Sequence, residues 1–228
     1  MTRLVWDADS KRLFETGVDR VVLYPKNIKT VGYANGEAWN GATKISESPE
    51  GGDITPKYAS NNVYLNLVSK ETFKGSISAF TYPDSFAECD GSAYVTGAGN
   101  TPIGVKITGQ NRRPFGLAYR TLLGNDTAGT DFGYVIHLVY NATASVSSRD
   151  YETVNDSPEA IEFSWDFTTT PVPVAGYKPS SHLMIDSTKT KPQALKAIED
   201  LLYGTDATGV PKLPTPEEVF TILGQQAG

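Results

Sequence analysis

The chain has 228 residues, of which 39% are hydrophobic and 20% charged, and its formal net charge is −6 at pH 7. This composition excludes intrinsic disorder, and the acidic balance disfavours a protein that grips nucleic-acid phosphates. The single cysteine, Cys89, excludes an internal disulfide. The N-terminus carries charge throughout, which predicts no secretion signal, and no run of 18 apolar residues predicts a membrane span.

The first part of the chain predicts a strand between two extended segments. Residues 1–17 are polar with isolated large apolar side chains, and we expect them to form an N-terminal arm. Residues 19–26 predict a strand that stops at Pro25. Residues 42–62 are polar and rich in glycine and proline, which predicts a long loop leaving the body. Compact domains rarely keep such a loop unless it is disordered or has a function.

The middle of the chain predicts strands and turns. Two strands are expected in residues 63–83 and a short helical turn in 83–91. A β-hairpin is expected with strands near 114–123 and 132–141, and a second hairpin in 148–172. The second strand of that last hairpin has the clearest alternation, through Ile161, Phe163, Trp165 and Phe167.

The pattern changes after Pro173. Residues 182–186 predict a last strand, and an amphipathic stripe predicts a helix at 190–203. A second helix is expected at 215–223, where Thr215 and Glu218 have the spacing of a capping box. The predicted organisation is therefore a β-sandwich over residues 1–180 and a C-terminal helical extension over residues 181–228.

The strands of the 114–141 hairpin are apolar or aromatic on both faces. If Ile136 and Leu138 face a core, Val135, His137 and Val139 need a second cover. Two helices of this length are too few to cover a large sheet, so we expect neighbouring copies of the chain to cover the second face. On this reasoning the protein is a self-assembling β-sandwich.

Known catalytic and metal-binding motifs are missing from the sequence. His137 and His182 have no metal-ligand spacing, and Cys89 is expected to be a buried, inert thiol. Residues 124–131 contain Asp126 and Asp131 but read as a hairpin turn rather than a calcium loop. The sequence therefore predicts no catalytic residue, no cofactor and no metal site, and a protein that is not an enzyme.

Several blocks of sequence carry a resemblance to one family. They are GEAWNGATKISESPEG, AFTYPDSFAECDGS, RRPFGLAYRTLLGNDTAGTDFGYVIHLVYNATAS, TVNDSPEAIEFSWDFTTTPV, HLMIDSTK, and LLYGT with LPTPEEV. In this order, over residues 33–223, they resemble the major tail protein (tail tube protein) of long-tailed, non-contractile bacteriophages and prophages. The resemblance implies a mainly β, tail-tube fold of two packed antiparallel sheets with a short flanking helix. It also implies hexameric rings that stack into the tube through which the genome is delivered.

The resemblance further implies partners and contact residues. The partners are the chain itself and the tape measure, distal tail and terminator proteins, while DNA passes through the lumen without specific binding and no membrane is involved. The location is the virion tail, and the host cytoplasm before assembly. Predicted contacts between rings are Lys44, Glu47, Glu50, Asp53, Lys57 and Tyr58. Predicted contacts within a ring are Arg112, Arg113 and Arg120.

Three other interpretations stay open. The chain could be a β-sandwich adhesin or carbohydrate-binding module at a tail tip, which would expose clustered aromatic side chains. It could be a hydrolase on a jelly-roll frame, with a pocket of converging carboxylates or His137. It could also be another tail component, such as a terminator or distal protein.

Overall fold

The computed structural model describes residues 3–147, 149–154, 160–206 and 209–225. The fold is mainly β, with antiparallel sheets and short helices that include a C-terminal pair, so the predicted fold class is confirmed. The strands are β1 Leu13–Pro25, β2 Glu37–Ala38, β3 Ala42–Glu47, β4 Ile54–Ala59, β5 Asn62–Val68, β6 Lys74–Ala79, β7 Ser92–Thr96, β8 Pro102–Thr108, β9 Phe115–Asn125, β10 Gly129–Ala144, β11 Phe163–Thr169 and β12 His182–Asp186. The α-helices are α1 Ala87–Asp90, α2 Pro192–Tyr203 and α3 Pro216–Gln225, and short 3-10 turns lie at Asp84–Phe86 and Ala98–Asn100.

One antiparallel sheet organises the molecule. Its strand order is β2-β1-β9-β10-β11-β6-β3, with β12 also paired to β10. The 16-residue β10 pairs with β9 along one edge, and with β12 and then β11 along the other. Side chains from β1, β6, β9 and β11 meet in one buried cluster, so the sheet folds over on itself. The hairpins β4–β5 and β7–β8 form separate two-stranded sheets.

An aromatic core fills the space inside the folded sheet. Trp165 lies edge-on to Phe86 and Trp39, with ring centroids 5.2 and 5.6 Å apart, and all three rings are buried. Edge-to-face pairs of this kind stabilise a core by about 0.5–1.5 kcal/mol each beyond their buried area. The predicted helical turn at 83–91 delivers Phe86 to this core and ends at Gly91, which has a φ of 82°.

A β-bulge in β10 changes which of its side chains face the inner core and which lie on the outer face of the sheet. The pairing with β9 shifts between Val139 and Ala142, and Asn141 lies between them with a φ of 48°. Its backbone N–H donates to the Tyr33 hydroxyl at 3.0 Å, which satisfies the group that leaves the ladder. As a result Tyr140 is buried on the outer face of the sheet, whereas Val139 and Ala142 are buried in the inner core.

The chain covers the outer face of β1, β9 and β10 with its own C-terminal helices. Ile198 of α2 and Val219 of α3 pack against Ile136 and Leu138 in a second buried cluster. The hydroxyl of Tyr140 donates to the Pro214 carbonyl at 2.9 Å, which fixes the segment before α3 to the sheet. Ile136 and Leu138 lie beneath the helices and Val139 lies in the inner core, so both faces of β10 are covered by the chain itself. The expectation that neighbouring copies cover the second face is therefore wrong.

Two local predictions differ from the structure. Residues 42–62 form β3, β4 and the start of β5 rather than a loop, since they continue a hydrogen-bonded ladder. β11 pairs with β6 and β10 instead of with the segment before it. That segment has no regular structure at 149–154, and residues 155–159 lie outside the described part. Among the helices of the described ranges, none is long and apolar enough to cross a membrane.

Candidate functional site

A hairpin formed by β4 and β5 leaves the body of the molecule, and we call these strands the projecting hairpin. Every residue of both strands is exposed. Six- and seven-residue strands at about 3.3 Å per residue extend over roughly 20 Å. The large apolar side chains exposed on the hairpin are Ile54, Tyr58, Val63, Tyr64, Leu65, Leu67 and Val68.

The projecting hairpin continues the ladder of β3 and β6. Glu50 and Thr72 exchange backbone hydrogen bonds of 2.9 and 2.7 Å between the two pairs of strands. Gly51 interrupts the ladder with a φ of 98°, and a Cβ there would lie 2.2 Å from the Lys70 carbonyl oxygen. The tip is closed by Ser60 and Asn61, both with positive φ, as in a two-residue type I′ turn.

An exposed two-stranded hairpin is marginally stable in water, and contiguous exposed apolar patches mark interaction surfaces. Single exposed apolar residues are ordinary, but seven of them occur here in 15 residues at one projecting element. The projecting hairpin is therefore the candidate interaction site of the molecule.

The predicted ring-to-ring residues lie on two neighbouring elements. Asp53, Lys57 and Tyr58 are exposed at the start and on the first strand of the projecting hairpin. Glu50, at the root, pairs with Lys74 at 2.5 Å. The other two candidates, Lys44 and Glu47, lie on β3 in the folded body. Their role in contacts between copies stays a prediction.

The three predicted arginines differ in their surroundings. Arg120 makes a bidentate pair with Asp19 at 2.5 and 2.7 Å, and Arg113 pairs with Glu88 at 2.6 Å. Arg112 lines two open cavities, and its buried Nε has no hydrogen-bond partner within the described ranges. The intra-ring role of all three arginines stays a prediction.

The fold brings together the two histidines at the root of the projecting hairpin. His137 of β10 and His182 of β12 are joined by a hydrogen bond of 3.1 Å between His137 Nδ1 and His182 Nε2. Glu47 Oε1, at the end of β3, lies 3.4 Å from the same His137 nitrogen and 4.0 Å from the same His182 nitrogen. Phe73, just before β6, packs against His182 with the rings tilted by 33° and their centroids 4.4 Å apart.

Burial dominates the electrostatics of this cluster. It lowers the pKa of His137 and His182 below the ordinary value of 6.5, although the nearby Glu47 carboxylate acts in the opposite direction. Both imidazoles are therefore neutral at pH 7, with one nitrogen of each ring free of a proton. Tyr119 donates its hydroxyl to Glu47 Oε1 at 2.5 Å and stacks on His137, which holds both groups in place.

Cys89 is unsuited to nucleophilic chemistry. It is fully buried, and burial raises the pKa of its thiol to about 12. A thiol in this state is inert at neutral pH, as the sequence analysis predicted.

Sequence reasoning predicted a strand in VYLNLV, which is β5, but missed its hairpin partner β4 and the histidine cluster. The hairpin had a usable signal, because Ser60 and Asn61 form a turn just before these strand-forming residues. The cluster had none, because His137 and His182 are 45 positions apart. They meet only through the pairing of Val139 with His182 and of His137 with Met184 across β10 and β12.

Comparison with known proteins gives a distant structural likeness. No protein-family profile matches the chain. No curated protein matches it either. Among solved structures it is similar to a chain in the cryo-EM structure of the sheath-tube complex of an extracellular contractile injection system, PVC, in its extended state. The identity is 12%, the TM-score is 0.31, and the alignment covers 73% of this chain and 88% of that one. A likeness this distant assigns neither a function nor a family.

Proposed function

We propose that the chain is a structural subunit of a long, non-contractile bacteriophage tail, in which copies form rings that stack into the tail tube. The observation that carries this proposal is the projecting hairpin, which exposes seven large apolar side chains within 15 residues of one projecting element. The sequence resemblance over residues 33–223 supplies the architecture of rings and tube, which the fold of one chain does not contain.

The proposed occupant of the surface around the projecting hairpin is a second copy of the chain, in the adjacent ring. Burying seven large apolar side chains, at about 1.5 kcal/mol or more each, gives on the order of 10 kcal/mol. That is comparable to the cost of associating two molecules, estimated at about 4–15 kcal/mol. One hairpin therefore holds a single pair of chains weakly, whereas a ring that engages several hairpins at once is stable.

The polar contacts proposed between rings are those around the projecting hairpin, from Glu50, Asp53, Lys57 and Tyr58, with Lys44 and Glu47 on β3. The contacts proposed within a ring are those of Arg112, Arg113 and Arg120. The negative net charge of the chain suits a conduit that lets a polyanion pass without holding it.

The proposal is tested by removing the projecting hairpin. In the variant, residues 53–69 are replaced by Asn-Gly, a two-residue turn that closes the ladder after Gly52. The double variant Leu65→Ser/Leu67→Ser keeps the hairpin and removes two apolar contacts. Asn66→Ser, a polar exchange between them on the same strand, is the matched control. Sedimentation velocity and negative-stain microscopy at high protein concentration measure assembly.

We expect the native chain and Asn66→Ser to form rings or tubes, and the two hairpin variants to remain monomers. Cooperative thermal unfolding of both variants, and an unchanged circular dichroism spectrum of Leu65→Ser/Leu67→Ser, would show that the body is folded. The proposal is wrong if the native chain stays monomeric at every concentration, or if the chain without the hairpin assembles equally well. Binding of glycans by a native monomer would instead support the adhesin or carbohydrate-binding interpretation.

A further inference from the structure

We propose that Glu47, His137 and His182 form a binding site for one divalent transition-metal ion of the zinc class, at the root of the projecting hairpin. The ion would join β3, which leads into the hairpin, to β10 and β12 of the sheet. This inference does not depend on the proposed tail function, since the site lies within a single chain.

The separations of the three donor atoms fit a common ion. His137 Nδ1, His182 Nε2 and Glu47 Oε1 are 3.1, 3.4 and 4.0 Å apart. The circle through the corners of a triangle with these sides has a radius of about 2.1 Å, so one point lies about 2.1 Å from all three atoms. Zinc binds histidine nitrogen and carboxylate oxygen at about 2.0–2.2 Å.

The donor types also select the metal. Two imidazole nitrogens and one carboxylate oxygen form a borderline ligand set that suits zinc and its neighbours better than magnesium or calcium, which prefer oxygen ligands. The same three atoms are the cluster of histidine and carboxylate groups that satisfies metal-ligand spacing among the described residues. A cavity of about 300 Å³ borders Glu47 and His137 and has room for a water molecule as the fourth ligand.

A second layer of contacts orients the ligands. Thr121 Oγ1 lies 3.0 Å from His137 Nε2, the ring nitrogen that would not bind the ion. Glu15 lies 3.7 Å from that nitrogen and accepts a hydrogen bond from the Thr121 hydroxyl. Tyr119 donates to Glu47 at 2.5 Å. Metal-bound histidines usually donate their other N–H to a hydroxyl, carbonyl or carboxylate of this kind, and such partners tune the affinity of the site.

The protons of the cluster can be accounted for. Without metal, one of the facing nitrogens of His137 and His182 carries the proton of their shared hydrogen bond. When an ion binds, that proton leaves the facing nitrogen. It resides instead on the outer nitrogen of the same ring, which on His137 is the atom beside Thr121 and Glu15. Both rings stay neutral, and each turns its unprotonated nitrogen toward the ion.

The place of the site gives the ion a structural consequence. Glu47 precedes the projecting hairpin, and Phe73, which packs against His182, follows it. The cluster therefore contacts both sides of the hairpin root. Of the three strands that carry the ligands, β10 and β12 are hydrogen-bonded to each other, and β3 is bonded to neither. An ion would therefore add a crosslink between β3 and the opposite layer of the sheet.

Metal titration of the full chain tests this inference. Chelator-treated protein is titrated with ZnCl2 by calorimetry, and with CoCl2 while the visible ligand-field bands of cobalt are recorded. The variants are Glu47→Gln, which still accepts the Tyr119 hydrogen bond, and His182→Gln. Glu50→Gln, which changes an exposed carboxylate three residues away, is the matched control.

We expect the native chain and Glu50→Gln to bind one equivalent of Zn²⁺, to give four-coordinate cobalt bands and to show a higher Tm with zinc. Each ligand variant should bind at least about 10-fold more weakly and lose the bands. If His182→Gln is unfolded by circular dichroism, Glu47→Gln alone decides the result. Equal binding by the native chain and a folded Glu47→Gln variant, or no binding by the native chain, would overturn the proposal, whether or not the protein forms tubes.

Discussion

The outer face of β9 and β10 and the surface of the projecting hairpin carry similar apolar side chains in opposite surroundings. Ile136 and Leu138 are fully buried beneath α2 and α3. Tyr64 and Val68, on a hairpin of comparable hydrophobicity, are 74% and 66% exposed. The two regions therefore differ in whether other parts of the chain pack over them, and not in the kind of side chain they carry.

This difference shows that apolar residues on both faces of a strand do not by themselves indicate a subunit interface. A strand of this kind needs a second cover, and 22 helical residues of the same chain supply it for β9 and β10. The projecting hairpin, in contrast, has no such cover from its own chain. The hairpin, and not the strands β9 and β10, is therefore the surface that a second copy would cover.

The largest expected effect is the loss of a side chain that seals the covered face. Ile198 of α2 is fully buried in the outer core. We expect Ile198→Ala to lower the free energy of unfolding by about 2–5 kcal/mol, because it removes buried methyl groups and leaves a cavity. Urea denaturation followed by tryptophan fluorescence measures this. A loss below about 1 kcal/mol would mean that α2 is only loosely attached to the sheet.

A smaller effect is expected from acid at the histidine cluster. Burial lowers the pKa of His137 and His182 below 6.5, so just below that pH the unfolded chain binds more protons than the folded one. The carboxylates that face the rings, Glu47 and Glu15, oppose this effect without reversing it. We expect the free energy of unfolding, measured with chelator present, to fall by on the order of 1–3 kcal/mol as the pH drops from 6.5 toward 4.

The double variant His137→Gln/His182→Gln serves as the comparison for the acid effect, because acidic groups elsewhere also titrate in this range. Its stability should fall less steeply between pH 6.5 and 5 than that of the native chain. Identical slopes would show that the buried rings do not contribute.

The N-terminal cap of α3 is expected to contribute about 1 kcal/mol to the free energy of unfolding. Thr215 Oγ1 accepts the Glu218 backbone N–H at 3.3 Å, and Glu218 accepts the Thr215 N–H at 2.8 Å, which forms the predicted capping box. We expect Thr215→Ala to cost about 0.5–2 kcal/mol and Thr215→Asn to cost less, since asparagine also caps helices. Thermal unfolding of both variants measures the difference, and an equal loss in both would contradict a capping role.

The smallest expected effect is that of a substitution on the projecting hairpin of the monomeric protein. Leu67 is 51% exposed. We expect Leu67→Ala to change the free energy of unfolding of monomers by less than about 0.5 kcal/mol, because little of its surface is removed from water on folding. Urea denaturation at low protein concentration tests this. A loss of 2 kcal/mol or more would show that the hairpin is packed against its own chain.

The elements that could be predicted have local signals. β11 alternates buried and exposed residues along its length, β12 has the predicted bounds, and α3 has its capping box. The first strand of the projecting hairpin falls within the predicted loop, because both faces of β4 are exposed and Pro56 interrupts it, so no burial period distinguishes this strand.

The rest depended on contacts between distant parts of the chain. α2 packs over β10 because of the path that the chain takes after β12, and no local sequence pattern predicts that path. The meeting of His137 with His182 follows from the register of two paired strands, and a register shifted by one residue would point the rings to opposite faces. The sequence alone therefore could not predict that α2 packs on β10 or that His137 meets His182.

Hydrogen exchange at the projecting hairpin tests the central claim most directly. The amides of β4 and β5 are compared in dispersed and in concentrated, assembled protein, with those of β9 as an internal reference. We predict rapid exchange in the hairpin of dispersed chains, strong protection there after assembly, and no change in β9, which the chain covers by itself. Protection of the hairpin already in dispersed chains, or continued rapid exchange within assemblies, would contradict the claim that a second copy covers it.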